Sequence, residues 1–254
     1  MQEIFITIIL SLVQGVLEFL PVSSSAHLSI ASSVLKLGEY KNIKFFIESA
    51  TFLVVLFYFR SLLIGSLVGI FSKSSRKESC FLFLKLGLPC IPFAIAFLFL
   101  HNLIENVSFF LILGSILMVL TEIKFKMQGA NIFSISDVSL KQSFVIGCFQ
   151  VLSIFSGFSR SGSSICGGLI CGLSRANAVR FSFLISLPLT FASLCYDFYK
   201  IKPILNASGI LGFFICLTVA SIAIKPCFKL VSSVNLSFFA CYRILLAILI
   251  IFFF

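Results

Sequence analysis

Apolar runs long enough to cross a membrane recur along the whole 254-residue chain. A hydrocarbon core of about 30 Å takes about 20 helical residues, and the stretches at roughly 45–60, 80–100, 107–123, 181–198, 207–224 and 238–254 are the clearest candidates. Only 11% of residues are charged and 59% are hydrophobic, with a mean hydropathy of +1.16, whereas a soluble domain carries about 25% charge. The expected fold is an all-α polytopic membrane protein with six transmembrane helices, in one membrane domain over 1–254.

Two further apolar regions, about 4–37 and 139–174, each break at Ser, Gly or Pro. Their halves are too short or too interrupted to span, and polar backbone at membrane depth is tolerated only where protein or a water-filled cavity surrounds it. They are expected to be re-entrant helical hairpins. A shift of 136 residues lays 14–26 on 150–162, with Gln14 on Gln150, Phe19 on Phe155, Ser23 on Ser159 and Ser25 on Ser161. Each hairpin precedes three spans. The chain therefore reads as two repeats, 1–123 and 139–254, and an odd number of spans per repeat inverts the second in the membrane.

The early apolar run is not expected to be a signal peptide, because it has no positive leader and contains Gln14 and Glu18. Nine scattered cysteines without a CxxC pair read as small hydrophobes. The net charge of +10 is spread over loops, which speaks for a membrane protein with loop-charge bias and against nucleic-acid binding. If 45–60 runs outside to inside, the inner loops hold eleven cations (Arg60, Lys73, Arg76, Lys77, Lys124, Lys126, Lys141, Arg175, Arg180, Lys225 and Lys229). The outer loops then hold five (Lys36, Lys41, Lys44, Lys200 and Lys202), so the first hairpin enters from outside, the second from inside, and their tips meet near the midplane.

Ionisable groups at membrane depth are candidates for function. Here they are Glu18, His27, Glu48 and Arg160, with Arg243 a weaker fifth. Gln14 and Glu18, four apart, share a helix face, and Pro21 is expected to end that helix. Ser23, Ser24 and Ser25 then stand where they cap the next helix, whose N-terminus with its hydroxyls suits an anion, and His27 is close in sequence. In the second break Ser159, Arg160, Ser161 and Gly162 precede Ser163 and Ser164, and an arginine fork there suits a phosphate. Gly157 and Gly162 allow close backbone approach, and Gly168 with Gly172 suggests a tight helix-packing face. The plainer reading makes the serines a capped turn, His27 a core residue and Arg160 the buried partner of Glu18, which still joins the two tips.

EFLPVSSSAH at 18–27, SGFSRSGSS at 156–164, GLSRANAVRFSFLISLP at 172–188 and FFACYRI at 238–244 resemble the signature regions of the undecaprenyl-diphosphatase family associated with bacitracin resistance. The resemblance runs through essentially the whole chain. It implies a fold of two inverted repeats with re-entrant hairpins, and removal of one phosphate from a polyprenyl diphosphate at the outer, periplasmic face of the bacterial inner membrane, in lipid-carrier recycling for peptidoglycan synthesis. It makes Glu18 the essential carboxylate, Ser24 the nucleophile, His27 an acid/base and Arg160 the phosphate clamp. Gln14, Ser23, Ser25, Ser159, Ser161, Gly162 and Ser164 would bind the phosphates, and Glu18 would hold a divalent cation, Mg²⁺ or Ca²⁺. Ala26 stands where the family usually has Gly, Ser156 where it has Pro, and Glu48 where it has a neutral Gln or His. The rival reading is a transporter that flips a polyprenyl phosphate, since broken helices in inverted repeats also build transporters; a degenerate homologue with a structural role is a third. The bilayer and the lipid are the expected partners, and a homodimer is compatible with the sequence.

Overall fold

A computed structural model describes residues 2–35, 41–100 and 106–253. The last residues of the first expected hairpin, 36–37, lie outside them. The described chain is helical: α1 Gln2–Leu17, α2 Ser24–Val34, α3 Lys41–Tyr58, α4 Arg60–Phe71, α5 Arg76–Gly87, α6 Cys90–Leu100, α7 Val107–Gln128, α8 Leu140–Val151, α9 Arg160–Ile170, α10 Arg175–Ile201, α11 Ala207–Ser233 and α12 Leu236–Phe253. Among the described residues no strand forms, and the one β-bridge joins Ile132 to Leu173.

Five apolar helical segments have span length: α5 with α6, α7, α10, α11 and α12. The pair α3 and α4 reaches span length only when taken together, across a 65° bend. A helix lies at each of the six expected spans, and most run past the predicted ends. α10 begins at Arg175, not near 181, because the polar residues that a hydropathy count discards still continue the helix. The bend at Phe59 has no Pro or Gly behind it. There the Arg60 guanidinium donates to the Phe57 carbonyl at 2.9 Å and lies over the Phe57 ring, supplying the partner that a broken helix end needs. Arg60, expected in a loop, is a helix cap.

The two interrupted regions form the helix–break–helix pairs α1–α2 and α8–α9. Their second helices have 11 residues each, about 16 Å, half the depth of the hydrocarbon core. α1 stops at Leu17, ahead of Pro21, after which Glu18 N–H still reaches the Gln14 carbonyl at 3.1 Å. Pro21 therefore lies within the turn and does not end the helix itself. Gly172, expected on a packing face with Gly168, lies beyond the end of α9 at φ +90°. Gly168 packs on a neighbouring helix, against Ala178 of α10, while Gly172 abuts the Asn131 side chain.

α1 lies along α11, α3 packs on α11 and α10, α8 on α9 and α6, and α7 on α12. One apolar core, including Phe19, Val55, Met118, Ile165, Phe181 and Leu184, runs between the two breaks. Its edge is pinned by a forked ion pair that joins α7 to α10. Arg175 Nη1 and Nη2 donate to the two Glu122 oxygens at 3.0 and 2.7 Å, and the same carboxylate accepts the Leu236 N–H at 3.1 Å at the start of α12. Glu122 lies inside a span and is 2% exposed, yet the sequence reading passed over it. Arg175→Lys keeps the charge but loses the fork, and is expected to cost about 2 kcal/mol, read as a fall of roughly 5 °C in the melting temperature.

Candidate active site

The two breaks have one local geometry. Ser23 and Ser159, 136 residues apart, both have positive φ, 70° and 71°. Each side chain caps the helix that follows, accepting from Ala26 N–H at 3.4 Å and from Gly162 N–H at 3.2 Å. Each hydroxyl also pairs with the serine two residues on, Ser25 at 3.1 Å and Ser161 at 3.3 Å. Holding a serine in this region costs roughly 1–3 kcal/mol. In return it turns the chain so that the N-termini of α2 and α9 border one cavity. Those ends carry unpaired N–H groups and partial positive charge.

The cavity is about 490 Å³. Glu18, Ser23, Ser24 and Ser25 reach its wall from the first break, and Ser159, Arg160 and Ser161 from the second. Ser24 Oγ donates to Glu18 Oε2 at 2.7 Å. Gln14 Nε2 donates to the same oxygen at 3.0 Å, while Arg160 Nη2 holds Oε1 at 2.9 Å. Glu18 is thus fixed from three sides with its second oxygen on the Ser24 hydroxyl, the arrangement of a nucleophile and its base. Arg160 also donates through Nη1 to Thr190 Oγ1 at 2.5 Å. Two of its five N–H groups are engaged in this way, and others remain for a phosphate. Ser161 Oγ donates to the Leu20 carbonyl at 3.1 Å, a second bond between the breaks.

On α3, Lys44 and Glu48, one helical turn apart, pair at 3.7 Å and also line the cavity. The opposite wall is apolar, made by Phe93, Ala94, Phe97 and Leu98 of α6 with Leu189 and Ala192 of α10. α6 has no buried residue, so this wall continues onto a face suited to lipid. The cavity is therefore polar and charged on one part of its wall and apolar on another, which fits an anionic headgroup with a hydrocarbon tail.

Four of the sequence-selected residues are not on this wall. Gln14 lies behind Glu18, 1% exposed. Gly162 is occupied by the Ser159 cap, with Met118 against it. Ser164 Oγ donates to the Arg160 carbonyl at 2.8 Å and lies 2.5 Å from Ser182 Oγ. His27 points elsewhere: Nδ1 is 2.8 Å from the Ser23 carbonyl, Nε2 is 2.7 Å from the Tyr242 hydroxyl, and the ring stacks on Tyr242. It joins α2 to α12 and does not reach Ser24. Gly157 and Gly162 bring the backbone close to α7, through Val107, Leu111 and Met118, and not to the cavity. Ala26 is fully buried beside Leu111 and Ala247, so its extra methyl packs in the core, away from the serine hydroxyls.

Sequence reasoning missed Thr190 and the place of Lys44. A lone Thr in an apolar span gives no warning, since such hydroxyls usually bond their own helix; the Lys44–Glu48 spacing of four was a usable signal. Thr190→Val keeps the shape but frees one end of the Arg160 fork. The expected result is about a tenfold loss in kcat/KM, measured beside an unchanged melting temperature.

Among the described residues no three His, Cys, Asp or Glu side chains gather as a metal cage. Glu18 and Glu48 are the carboxylates on the cavity wall. Hard oxygen donors of this kind suit Mg²⁺ or Ca²⁺ when the substrate supplies the other ligands.

Fold and site together define a multi-pass membrane protein with a serine–carboxylate pair and an arginine in one cleft. The chain belongs to the family of the bacitracin resistance protein BacA, whose model matches residues 7–249. It is 35% identical to an undecaprenyl-diphosphatase of Buchnera aphidicola subsp. Acyrthosiphon pisum over 99% of this chain and 98% of that protein. It is 34% identical to one of Wolinella succinogenes, covering 99% and 98%, and 36% identical to undecaprenyl-diphosphatase 1 of Bacillus cereus, covering 98% and 97%.

Proposed function

We propose that the protein hydrolyses undecaprenyl diphosphate to undecaprenyl phosphate and inorganic phosphate, recycling the lipid carrier of cell-wall synthesis. The full-length likeness to proteins of that name supports the substrate. The observation that carries the chemistry is the Ser24–Glu18–Arg160 chain, in which a hydroxyl is bonded to a carboxylate that an arginine holds from the other break. Carriage of a lipid phosphate needs an anion cradle but no activated hydroxyl, so this arrangement favours hydrolysis over flipping.

Ser24 Oγ attacks the terminal phosphorus and passes its proton to Glu18, while the bond to the bridging oxygen breaks and undecaprenyl phosphate leaves. Water then cleaves the phosphoseryl bond, giving one proton to the phosphate formed or to solvent, and Ser24 regains its proton from Glu18. The leaving group is itself a phosphate and carries its charge without a general acid, which frees the mechanism from His27. Arg160 and the N-terminal amides of α2 and α9 hold the phosphoryl oxygens as charge develops on them. A divalent cation, held by Glu18 with Glu48 and the diphosphate, would neutralise substrate charge.

The cavity is lined by the N-terminal half of α3 and the C-terminal ends of α6 and α10. The loop-charge bias supports an outer position for those ends, which in our reading is the periplasmic side of the bacterial inner membrane. The matched breaks support two inverted repeats, and no step needs the homodimer that the sequence allows.

The test is phosphate release from undecaprenyl diphosphate by detergent-purified protein, with and without Mg²⁺, beside Glu18→Gln and Arg160→Ala. Release by the wild type that both variants lose is expected. No release from a folded wild type overturns the proposal.

A further inference from the structure

A second cavity, about 1170 Å³, shares no residue with the candidate active site. It lies at the other end of the same helices. α3 contributes Lys44 and Glu48 to the active site but Tyr58 here, while α10 contributes Leu189 to Tyr196 there but Asn177 and Arg180 here. Between them is a narrow cavity of about 30 Å³, bordered by Phe19, Val55, Phe183 and Leu187. The 65° bend at Phe59 swings α4 aside and opens this far cavity between α4 and α5. The two helices close again at Gly69, where a Cβ would collide with Ser79 Oγ.

The polar wall is cationic. Lys77, Lys85 and Arg180 line it against the single carboxylate of Glu78. Among the described residues neither Lys77 nor Arg180 has an ion pair or hydrogen bond. Lys85 is 7% exposed, and its ammonium donates only to the Ser136 carbonyl, at 2.6 Å, which leaves two N–H groups and the charge of a buried cation without a carboxylate bonded to it. Asn177, 8% exposed, also lines the cavity without a hydrogen bond. General cytoplasmic loop bias accounts for cations at helix ends. It does not account for a buried lysine and the Asn177 amide, whose polar atoms open onto the cavity, converging on one concave wall.

The other wall is apolar and reaches the lipid. Leu62 and Phe81 line it, and α4 buries only Gly69, with Ile64, Val68 and Phe71 exposed around it. We infer that this cavity binds the headgroup of an anionic phospholipid, its phosphate on Lys77, Lys85, Arg180 and Asn177 and its chains against α4. The charge complementarity selects an anion, and the opening beside a lipid-exposed helix selects one with hydrocarbon chains over free phosphate. This site does not depend on the reaction proposed above.

Native mass spectrometry of the delipidated protein, titrated with phosphatidylglycerol or with phosphatidylcholine of the same chains, tests it. Phosphatidylglycerol is expected to bind the wild type at least tenfold more tightly. Each cation near a lipid phosphate contributes roughly fivefold, so Lys77→Gln with Arg180→Gln should weaken that binding about twenty-fivefold. Gly65 lines the cavity with nothing within 4 Å of its Cβ position, so the backbone there accepts a side chain, and Gly65→Phe should fill the space and remove the bound lipid. Arg160→Ala should leave it in place. Equal binding of the two lipids, wild-type binding by both the double variant and Gly65→Phe, or loss of the lipid in Arg160→Ala would overturn the inference. Displacement by an equal concentration of inorganic phosphate would reassign the site to a free anion and overturn it as well.

Discussion

Ser24→Ala is expected to lower kcat for undecaprenyl diphosphate by a factor of about 10³ or more, with little change in KM. The hydroxyl is bonded to Glu18 Oε2 at 2.7 Å, so its loss removes the attacking atom and leaves Arg160, Thr190 and the helix amides in place to bind phosphate. Were Ser24 only a hydrogen-bond donor to substrate, with water attacking directly, the loss would be nearer ten- to a hundredfold, the worth of one charge-assisted bond. Steady-state rates separate the two. Acid quenching during turnover, followed by mass spectrometry, should also find a phosphate on the Ser24 peptide of the wild type. Ser23→Ala, by contrast, removes a helix cap and should cost about 1 kcal/mol of stability.

The second large effect is structural. Arg243 has no exposed surface and faces no carboxylate. Nη1 donates to the Phe158 and Pro21 carbonyls at 2.8 and 3.3 Å, and Nη2 to those of Gly157 and Leu111 at 2.7 and 3.3 Å. One guanidinium thus ties the first break, the second break and α7 together, satisfying carbonyls that the breaks leave without helical partners. Arg243→Met strands those carbonyls in an apolar surround, and is expected to cost about 4 kcal/mol. A fall of roughly 10 °C in the melting temperature, with phosphate release lost, should follow, and Arg243→Lys, a single point charge, should recover only part. Gly114→Ala tests the same contact from the other side, because its Cβ would collide with Arg243 Nη2. Wild-type melting in both variants would remove Arg243 from this role.

What the sequence made legible was local. The spans follow from apolar length, and the breaks stand out because Glu18, the serines and Arg160 interrupt otherwise lipid-like segments. The 136-residue shift anticipated that Ser23 and Ser159 would occupy matching places, though not that both would have positive φ. The Glu18–Arg160 pair was within reach because so few charges needed partners. What stayed hidden depends on contacts distant in sequence. His27 is close to Ser24 in the chain, but Tyr242, 215 residues away, decides where its ring points. Thr190 looks like any hydroxyl in a span until α10 is laid beside α9. The bend at Phe59 has no breaker residue, and Glu122 was masked by its apolar neighbours.

The central claim is that the two breaks, far apart in the chain, form one catalytic site. A double-mutant cycle on phosphate release, with Glu18→Gln, Arg160→Gln and the pair together, tests it most directly. If the carboxylate and the guanidinium act as a unit, the double variant should be no slower than the slower single variant, because the first substitution has already dismantled the pair. Losses that multiply, as for independent sites, would contradict the account.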